Sequence, residues 1–259
     1  MHKININDNY IRTDLLYEQK NIKNTNSETY YKDIKLVSQK DKKNDYSTIF
    51  FEDITDYESY LNLQKVFTKE LIKYIKIKEN DIVLIIGLGN IKSTPDSLGP
   101  LTIDKLLPTR YLFELGEVEE GYTNVSIYKP DVMGNTGIES IAIIKSIVKD
   151  INPTKIIIID SLKASNKERL IKTIQITNSG INPGSGINNS RGEISKKTIG
   201  CDVIAIGIPT VVDMSTNVKE NFIVTPTNID FVIERLSSLI ASSLNKSLHK
   251  NYNRQINDN

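Results

Sequence analysis

The sequence predicts an α/β fold with a mostly parallel sheet and helices on both faces. Three runs are apolar at every position, as is typical of strands covered on both faces, and they lie at residues 82–88, 156–159 and 203–208. Helical patterns lie between and after these runs, at residues 137–148 and 229–248. Strands that alternate with helices in this way are typical of a sheet with parallel strands.

The N-terminal part of the chain has a different character. Residues 1–48 are polar and rich in Asn, Lys and Asp. Short alternating stretches at 31–37 and 47–51 predict strands of a small antiparallel element, and residues 1–30 are equally compatible with a mobile leader. Apolar positions at a helical period then predict a helix over residues 57–77.

Composition and charge exclude several classes of protein. With 259 residues the chain can bury a sizeable core, and 33 Lys+Arg against 32 Asp+Glu argue against a protein that coats nucleic acid. One cysteine, Cys201, excludes a disulfide framework, while His2 and His249 lie too near the termini for an internal His-based catalytic or metal site. Without a signal peptide or a run of about 18 apolar residues, we expect a cytoplasmic protein with no membrane partner.

A carboxylate follows each of the three apolar runs. Ligands of open α/β sheets bind beyond the carboxyl ends of the strands. Asp96 lies in the loop after the first run, Asp160 directly ends the second, and Asp213 follows the third. Each is compatible with a helix cap or a buried ion pair, and also with a catalytic acid or base.

Glycine-rich loops occupy the same positions. The GLG sequence at 87–89 suggests dinucleotide binding, but Lys92 stands where the third glycine of that motif would be, and no acidic residue follows at the usual distance. A nucleotide-dependent enzyme therefore remains a weaker alternative. The loops at 132–137 and 179–186 are compatible with backbone N–H groups that approach a ligand and with ordinary turns.

At these loops the sequence resembles the germination protease family of spore-forming bacteria. The similarity extends over nearly the whole chain, from Tyr10 to His249. The motifs that carry it are YIRTDLL (10–16), GLGN (87–90), TPDSLGP (94–100), VMGNTGIE (132–139), IIIIDSL (156–162), TIQITNSGINPGSG (173–186), TIG (198–200), VIAIGIPTVVD (203–213) and VTPTNID (224–230). The resemblance implies a fold similar to that of the hydrogenase-maturation peptidases.

The resemblance also implies an activity and a domain organisation. We expect an endopeptidase that initiates degradation of small acid-soluble spore proteins during germination, in the cytoplasm of the forespore and spore core. The family is made as a self-processing zymogen and forms a homotetramer. Residues 1–10 would be the pro-segment, 11–249 a single α/β peptidase domain and 250–259 a polar tail. No cofactor and no direct contact with nucleic acid are expected.

The family's two catalytic carboxylates fall on Asp96 and Asp160. One can remove a proton from water while the other, protonated, donates to the carbonyl oxygen or the leaving amine. No metal site is predicted, and any metal that activated the water would need oxygen ligands. Asp213 and Glu139 are supporting candidates that are also compatible with a structural role. The other supporting residues are Gly87, Gly89, Asn90, Gly134, Gly137, Gly184 and Gly186.

The sequence departs from the family pattern at three places, and two of them, the altered segment 160–165 and the short connection 214–223, favour an alternative. The family's Asp-Ala-Leu-Ala-Ala-Arg is DSLKAS at residues 160–165, and the glycine before Val-Met-Gly is Asp131. Only residues 214–223 join the third strand to the last helix, where the family has a long segment. The alternative is a catalytically degenerate relative that acts as a binding or sporulation accessory protein.

Overall fold

Nine strands form one sheet in a computed structural model that describes residues 27–41, 43–164, 166–183, 192–215 and 221–252. The strands are β1 (Ser27–Tyr31), β2 (Ile34–Lys40), β3 (Asp45–Phe50), β4 (Ile82–Gly87), β5 (Asn124–Tyr128), β6 (Lys155–Ala164), β7 (Thr173–Thr177), β8 (Asp202–Ser215) and β9 (Asn221–Val224). The helices are α1 (Tyr57–Ile75), α2 (Leu98–Ile103), α3 (Arg110–Leu115), α4 (Met133–Thr136), α5 (Ser140–Ile151), α6 (Lys196–Ile199) and α7 (Ile229–Leu248).

The sheet has a parallel part and an antiparallel part. Its order is β1-β2-β3-β7-β8-β6-β4-β5, with β9 paired to β8. Strands β5, β4, β6 and β8 are parallel, and Ile157 of β6 pairs with Ile85 on one side and Ile204 on the other. The predicted α/β class is confirmed. The antiparallel N-terminal strands extend the same sheet, because β3 pairs with β7, and β7 in turn pairs with β8.

Helices cover both faces of the parallel strands, as predicted. Alternate residues of each strand point to opposite faces, so Ile157 and Ile159 join the core formed with α1, α2 and α7. Ile156 and Ile158 pack on the other face with α5, through residues such as Ile144. Strands buried on both faces explain why these stretches contain no polar residue.

The observed elements differ from the predicted ones mainly at their ends. The last helix has the predicted bounds, but α5 begins at Ser140 because Gly137, with φ 72°, ends the short helix α4. Strands β6 and β8 continue well beyond their apolar runs. The proposed pro-segment and residues 253–259 lie outside the described residues. No helix of the described part has the length and apolar character that a membrane span requires.

Candidate active site

Asp96 and Asp160 both lie at the carboxyl edge of the parallel strands. After β4 the chain enters a 3-10 turn, Thr94–Asp96, which contacts β6 and β8. Leu88 N donates to Ile159 O at 2.8 Å, and Asn90 N donates to Asp96 O at 2.9 Å. The loop that carries Asp96 is therefore fixed to β6 at the residue before Asp160, and the expected edge of the sheet holds both acids.

The two acids differ in burial. Asp160 is 7 % exposed, whereas Asp96 is half-buried. The alternation along β6 places Asp160 on the same face as Ile158 and Leu162, the face that α5 covers.

Glycines allow the Asp96 turn to pack against the strand ends. Gly89 has φ 122°, and a Cβ placed on it would lie 2.0 Å from Asp96 O and 3.3 Å from Asp96 Oδ1. A Cβ on Gly99 would lie 2.2 Å from Leu88 O, and one on Gly87 would lie 2.3 Å from Gly99 O. Close backbone packing thus accounts for the GLG sequence without a nucleotide.

A network of asparagine side chains joins the loop after β5 to this turn. Asn135 Nδ2 donates to Asn90 Oδ1 at 3.2 Å and to Asp131 Oδ1 at 2.9 Å. Val132 N also donates to Asp131 Oδ1, at 2.7 Å. The hydrogen bond from Asn135, followed by that from Val132 N, holds the pKa of the partly exposed Asp131 carboxyl below its usual value. Asp131 is therefore ionised at neutral pH.

An open hollow of roughly 200 Å³ lies beside Asp96 and is lined by Gly89, Ile91, Pro100, Lys129 and Asp131. The hollow is close to the Asp96 carboxyl, since a Cβ on the lining residue Gly89 would lie 3.3 Å from Asp96 Oδ1. Of these lining residues, only Gly89 was predicted from the sequence as a site residue. For Asp131 a signal was present, namely an acid where the family has glycine.

The predicted supporting residues Asp213, Glu139, Gly134 and Gly137 are not among those that line the hollow. Asp213 forms an ion pair with Lys163, and Glu139 is an exposed residue that precedes α5 without capping it through its side chain. Gly134 is exposed with open space around its Cα, so no close approach there requires glycine. Gly137 ends α4, which is the turn-forming role. Gly184 and Gly186 lie outside the described residues.

Sequence reasoning also missed a polar row that runs across the sheet from Asp160. Asp160 pairs with Gly207 of β8, and Gly207 pairs with Gln175 of β7, so the three residues lie on one face. Gln175 and its neighbours Thr173 and Thr177 are almost completely buried. Within the described ranges, no three His, Cys, Asp or Glu side chains are grouped so that they could hold a metal ion.

The fold and this edge together define an α/β protein whose candidate site is built from carboxylates and close-packed glycine loops. More specifically, the chain belongs to the germination protease family, because the family model described as germination protease matches residues 7–221. The predicted family is confirmed.

Curated relatives in this family come from several spore formers. The germination protease of Priestia megaterium is 48 % identical over 184 residues, which cover 69 % of this chain and 48 % of that protein. The Geobacillus sp. (strain WCH70) protein is 46 % identical, with 66 % and 46 % covered, and the Bacillus cereus (strain G9842) protein is 43 % identical, with 69 % and 48 % covered. The chain thus spans about half the length of these relatives.

Among solved structures, the chain is similar to the NiFe-hydrogenase maturation protease HycI from Thermococcus kodakarensis. The two share 19 % identity at a TM-score of 0.41, over 68 % of this chain and 98 % of the other. A second similar structure is the hydrogenase 2 maturation peptidase from a Thaumarchaeota archaeon, with 14 % identity and a TM-score of 0.31, over 63 % of this chain and 97 % of the other.

Proposed function

We propose that this chain is an endopeptidase that initiates degradation of small acid-soluble spore proteins during germination. Asp96 and Asp160 are the carboxylates that activate water. The observation that carries the proposal is the bond from Leu88 N to Ile159 O, which fixes the Asp96 loop at the residue before Asp160. Membership of the germination protease family supports the reaction and the class of substrate.

The proposed chemistry uses these two side chains alone. One carboxylate takes a proton from water as the water oxygen attacks the peptide carbonyl carbon. The other carboxyl, protonated at the start, stabilises the carbonyl oxygen and then gives its proton to the leaving nitrogen as the C–N bond breaks. The first carboxyl is then protonated and the second ionised, and proton exchange with solvent restores the pair.

The family relationship supports further parts of the proposal. The protein is made as a zymogen from which residues 1–10 are removed by self-cleavage, and it works as a homotetramer in the cytoplasm of the forespore and spore core. It requires no cofactor and contacts no nucleic acid directly.

One observation favours a second candidate function, a catalytically degenerate relative that binds its partner without cutting it. The altered segment after Asp160 places Lys163 in an ion pair with Asp213. This candidate keeps the fold and binds its partner at the carboxyl edge of the parallel strands, but it does not hydrolyse peptide bonds.

Cleavage of a purified small acid-soluble spore protein, followed by mass spectrometry, separates the two candidates. The parent should cut, and Asp96→Asn and Asp160→Asn should each slow cutting by roughly 10²–10⁴-fold, the usual contribution of a general acid or base. Asp150→Asn, at an exposed acid near the end of α5, is the matched control and should cut at the parent rate.

Each outcome of this assay has a defined meaning. Binding without fragments from the parent supports the degenerate relative, and a variant that cuts at the parent rate removes that acid from the mechanism. Unchanged activity after addition of a chelator supports the carboxylates alone. Mass analysis of the enzyme before and during the reaction tests whether the first ten residues are removed first.

A further inference from the structure

The hollow beside Asp96 has the form of a side-chain pocket for a bound polypeptide. Ile91 and Pro100 give it apolar walls, and Gly89 contributes backbone next to the Asp96 carboxyl. The hollow is open to solvent, and Ile91 at its rim is 47 % exposed. When a substrate's peptide carbonyl lies beside Asp96, a neighbouring residue of that substrate can place its side chain in the hollow.

The charges of this hollow leave a negative group facing the ligand. Lys129 forms an ion pair with Asp104, so its charge is compensated within the protein. Asp131 Oδ1 accepts two hydrogen bonds, while Oδ2 accepts none from the part of the chain that the structure describes. Exposed Lys92 acts on Asp131 only through space and makes no ion pair with it among the described residues.

The backbone at Asp131 shows that a side chain is kept there against a conformational preference. Its φ is 61°, in the left-handed region that glycine adopts without cost and that most other residues avoid. The turn would therefore form more readily with glycine. Asp is one of the few residues that tolerate this region, so the remaining cost is small, and the side chain places a carboxylate at the rim of the hollow.

We propose that the Asp131 carboxylate binds a Lys or Arg side chain of the substrate polypeptide in this hollow. The inference rests on the proposed peptidase function and specifies its substrate class. A cationic side chain can donate to Oδ2, and a charge-assisted hydrogen bond of this kind is stronger than a neutral one. An acidic side chain at the same position is repelled by Asp131, which gives discrimination as well as affinity.

The test uses a fluorescein-labelled octapeptide library in which one position at a time is fixed as Lys, Gln or Glu. Binding is measured by fluorescence anisotropy to the full-length Asp96→Asn variant, so that no peptide is cut. At one position we expect Lys pools to bind roughly three- to tenfold more tightly than Gln pools, and Glu pools to bind more weakly. The preference should shrink at high salt, because this pair is open to solvent.

Two substitutions at Asp131 make the test specific. Asp131→Asn keeps a side chain that tolerates the left-handed region and an Oδ1 that accepts from Val132 N and Asn135, so only the charge is lost. Asp131→Gly removes the side chain and the strain together. Both should abolish the Lys preference in the Asp96→Asn background, with thermal unfolding close to that of the starting protein.

The same library with the parent protein separates failure of this inference from failure of the proposed function. Cutting without a Lys preference, or with a preference that survives Asp131→Asn, overturns the role of Asp131 and leaves the peptidase. A Lys preference in binding without any cutting keeps Asp131 as the binding residue and overturns the peptidase. Neither cutting nor preference overturns both.

Discussion

The two edges of the parallel sheet differ in how their charged groups and their backbone are arranged. At the amino edge, buried Lys155 lies with Nζ 3.3 Å from Asp81 Oδ2 and 3.9 Å from Asp202 Oδ2. Thr154 Oγ1 donates to Asp81 Oδ1 at 2.7 Å, so the acid is held by a hydroxyl as well as by a cation. Charges at this edge are matched and contribute to stability.

The carboxyl edge instead collects acids. Asp96 and Asp131 lie in the loops that follow β4 and β5, Asp160 lies within β6, and the glycines at 87, 89 and 99 allow the backbone there to pack unusually closely. Backbone in rare conformations costs free energy of folding. The amino edge is thus held by paired charges, whereas the carboxyl edge keeps a backbone conformation that folding alone does not favour.

The largest expected effect on stability comes from breaking the amino-edge pair. Burial acts to raise the pKa of Asp81, but hydrogen bonds from Thr154 and Lys78 N and the charge of Lys155 outweigh it, so that the pKa is lowered. Asp81→Asn leaves Lys155 buried without this counter-ion and should lower the free energy of unfolding by roughly 3 kcal/mol. Urea denaturation measures the loss, with Asp150→Asn as the control.

Lys155→Met tests the cause of that loss. It removes the buried cation and leaves Asp81 with its hydrogen bonds from Thr154 and Lys78 N, so we expect a smaller loss than for Asp81→Asn. Equal losses in the two variants would show that the uncompensated charge of Lys155 is not the reason. A loss in Asp81→Asn no larger than in Asp150→Asn would contradict the assignment of this edge to stability.

The parallel part of the fold could be predicted from the sequence because its strands are buried on both faces. That burial excludes polar residues from positions 82–88, 156–159 and 203–208, and the resulting runs are visible without a structure. The pairing of β3 with β7 could not be predicted in this way. Strands so far apart in sequence leave no periodic signal that identifies them as partners.

The candidate site was predictable to a similar extent. Asp96 and Asp160 each follow an apolar run, which indicated one shared edge of the sheet, and both lie at that edge in the structure. The acid at position 131 was visible in the sequence, but its proposed role could not be predicted, because its contact with Asn135 and its left-handed backbone exist only in the folded chain. The pairing of Asp213 with Lys163 depends likewise on neighbouring strands, β6 and β8.

A smaller effect on stability is expected when the close packing of the carboxyl edge is disturbed. Gly89→Ala places a methyl group 2.0 Å from Asp96 O in a backbone conformation with φ 122°. We expect a loss of roughly 2 kcal/mol in the free energy of unfolding, and a cleavage rate about 100-fold lower because Asp96 is displaced. Urea denaturation and the cleavage assay measure the two effects.

Gly134→Ala is the matched glycine variant, since nothing lies within 4 Å of a Cβ at that position. It should leave stability unchanged or slightly increased, because alanine favours the helical backbone of α4. Equal losses at Gly89 and Gly134 would show that close packing is not what distinguishes the Asp96 loop.

The smallest effect is expected from a neutral group at the amino edge. His249 is buried beside Tyr122, and its Nδ1 accepts from Thr123 N, next to the start of β5, at 3.3 Å. Burial lowers its pKa from 6.5 to about 4. In the unfolded chain the imidazole takes up a proton near pH 6.5, so the folded state loses stability as the pH falls from about 6.5 towards 4.

His249→Gln removes this titration and identifies its source. We expect the parent to melt at a higher temperature than the variant at pH 7.5, because Gln does not reproduce the ring packing, and we expect that difference to narrow at pH 5. His2 is present in both proteins and cancels from the comparison. A difference in melting temperature that stays constant between the two pH values would mean that His249 is protonated as easily in the folded protein as in the unfolded chain. The amino edge would then contain a titrating charge that it does not match, and the contrast between the two edges would be weaker.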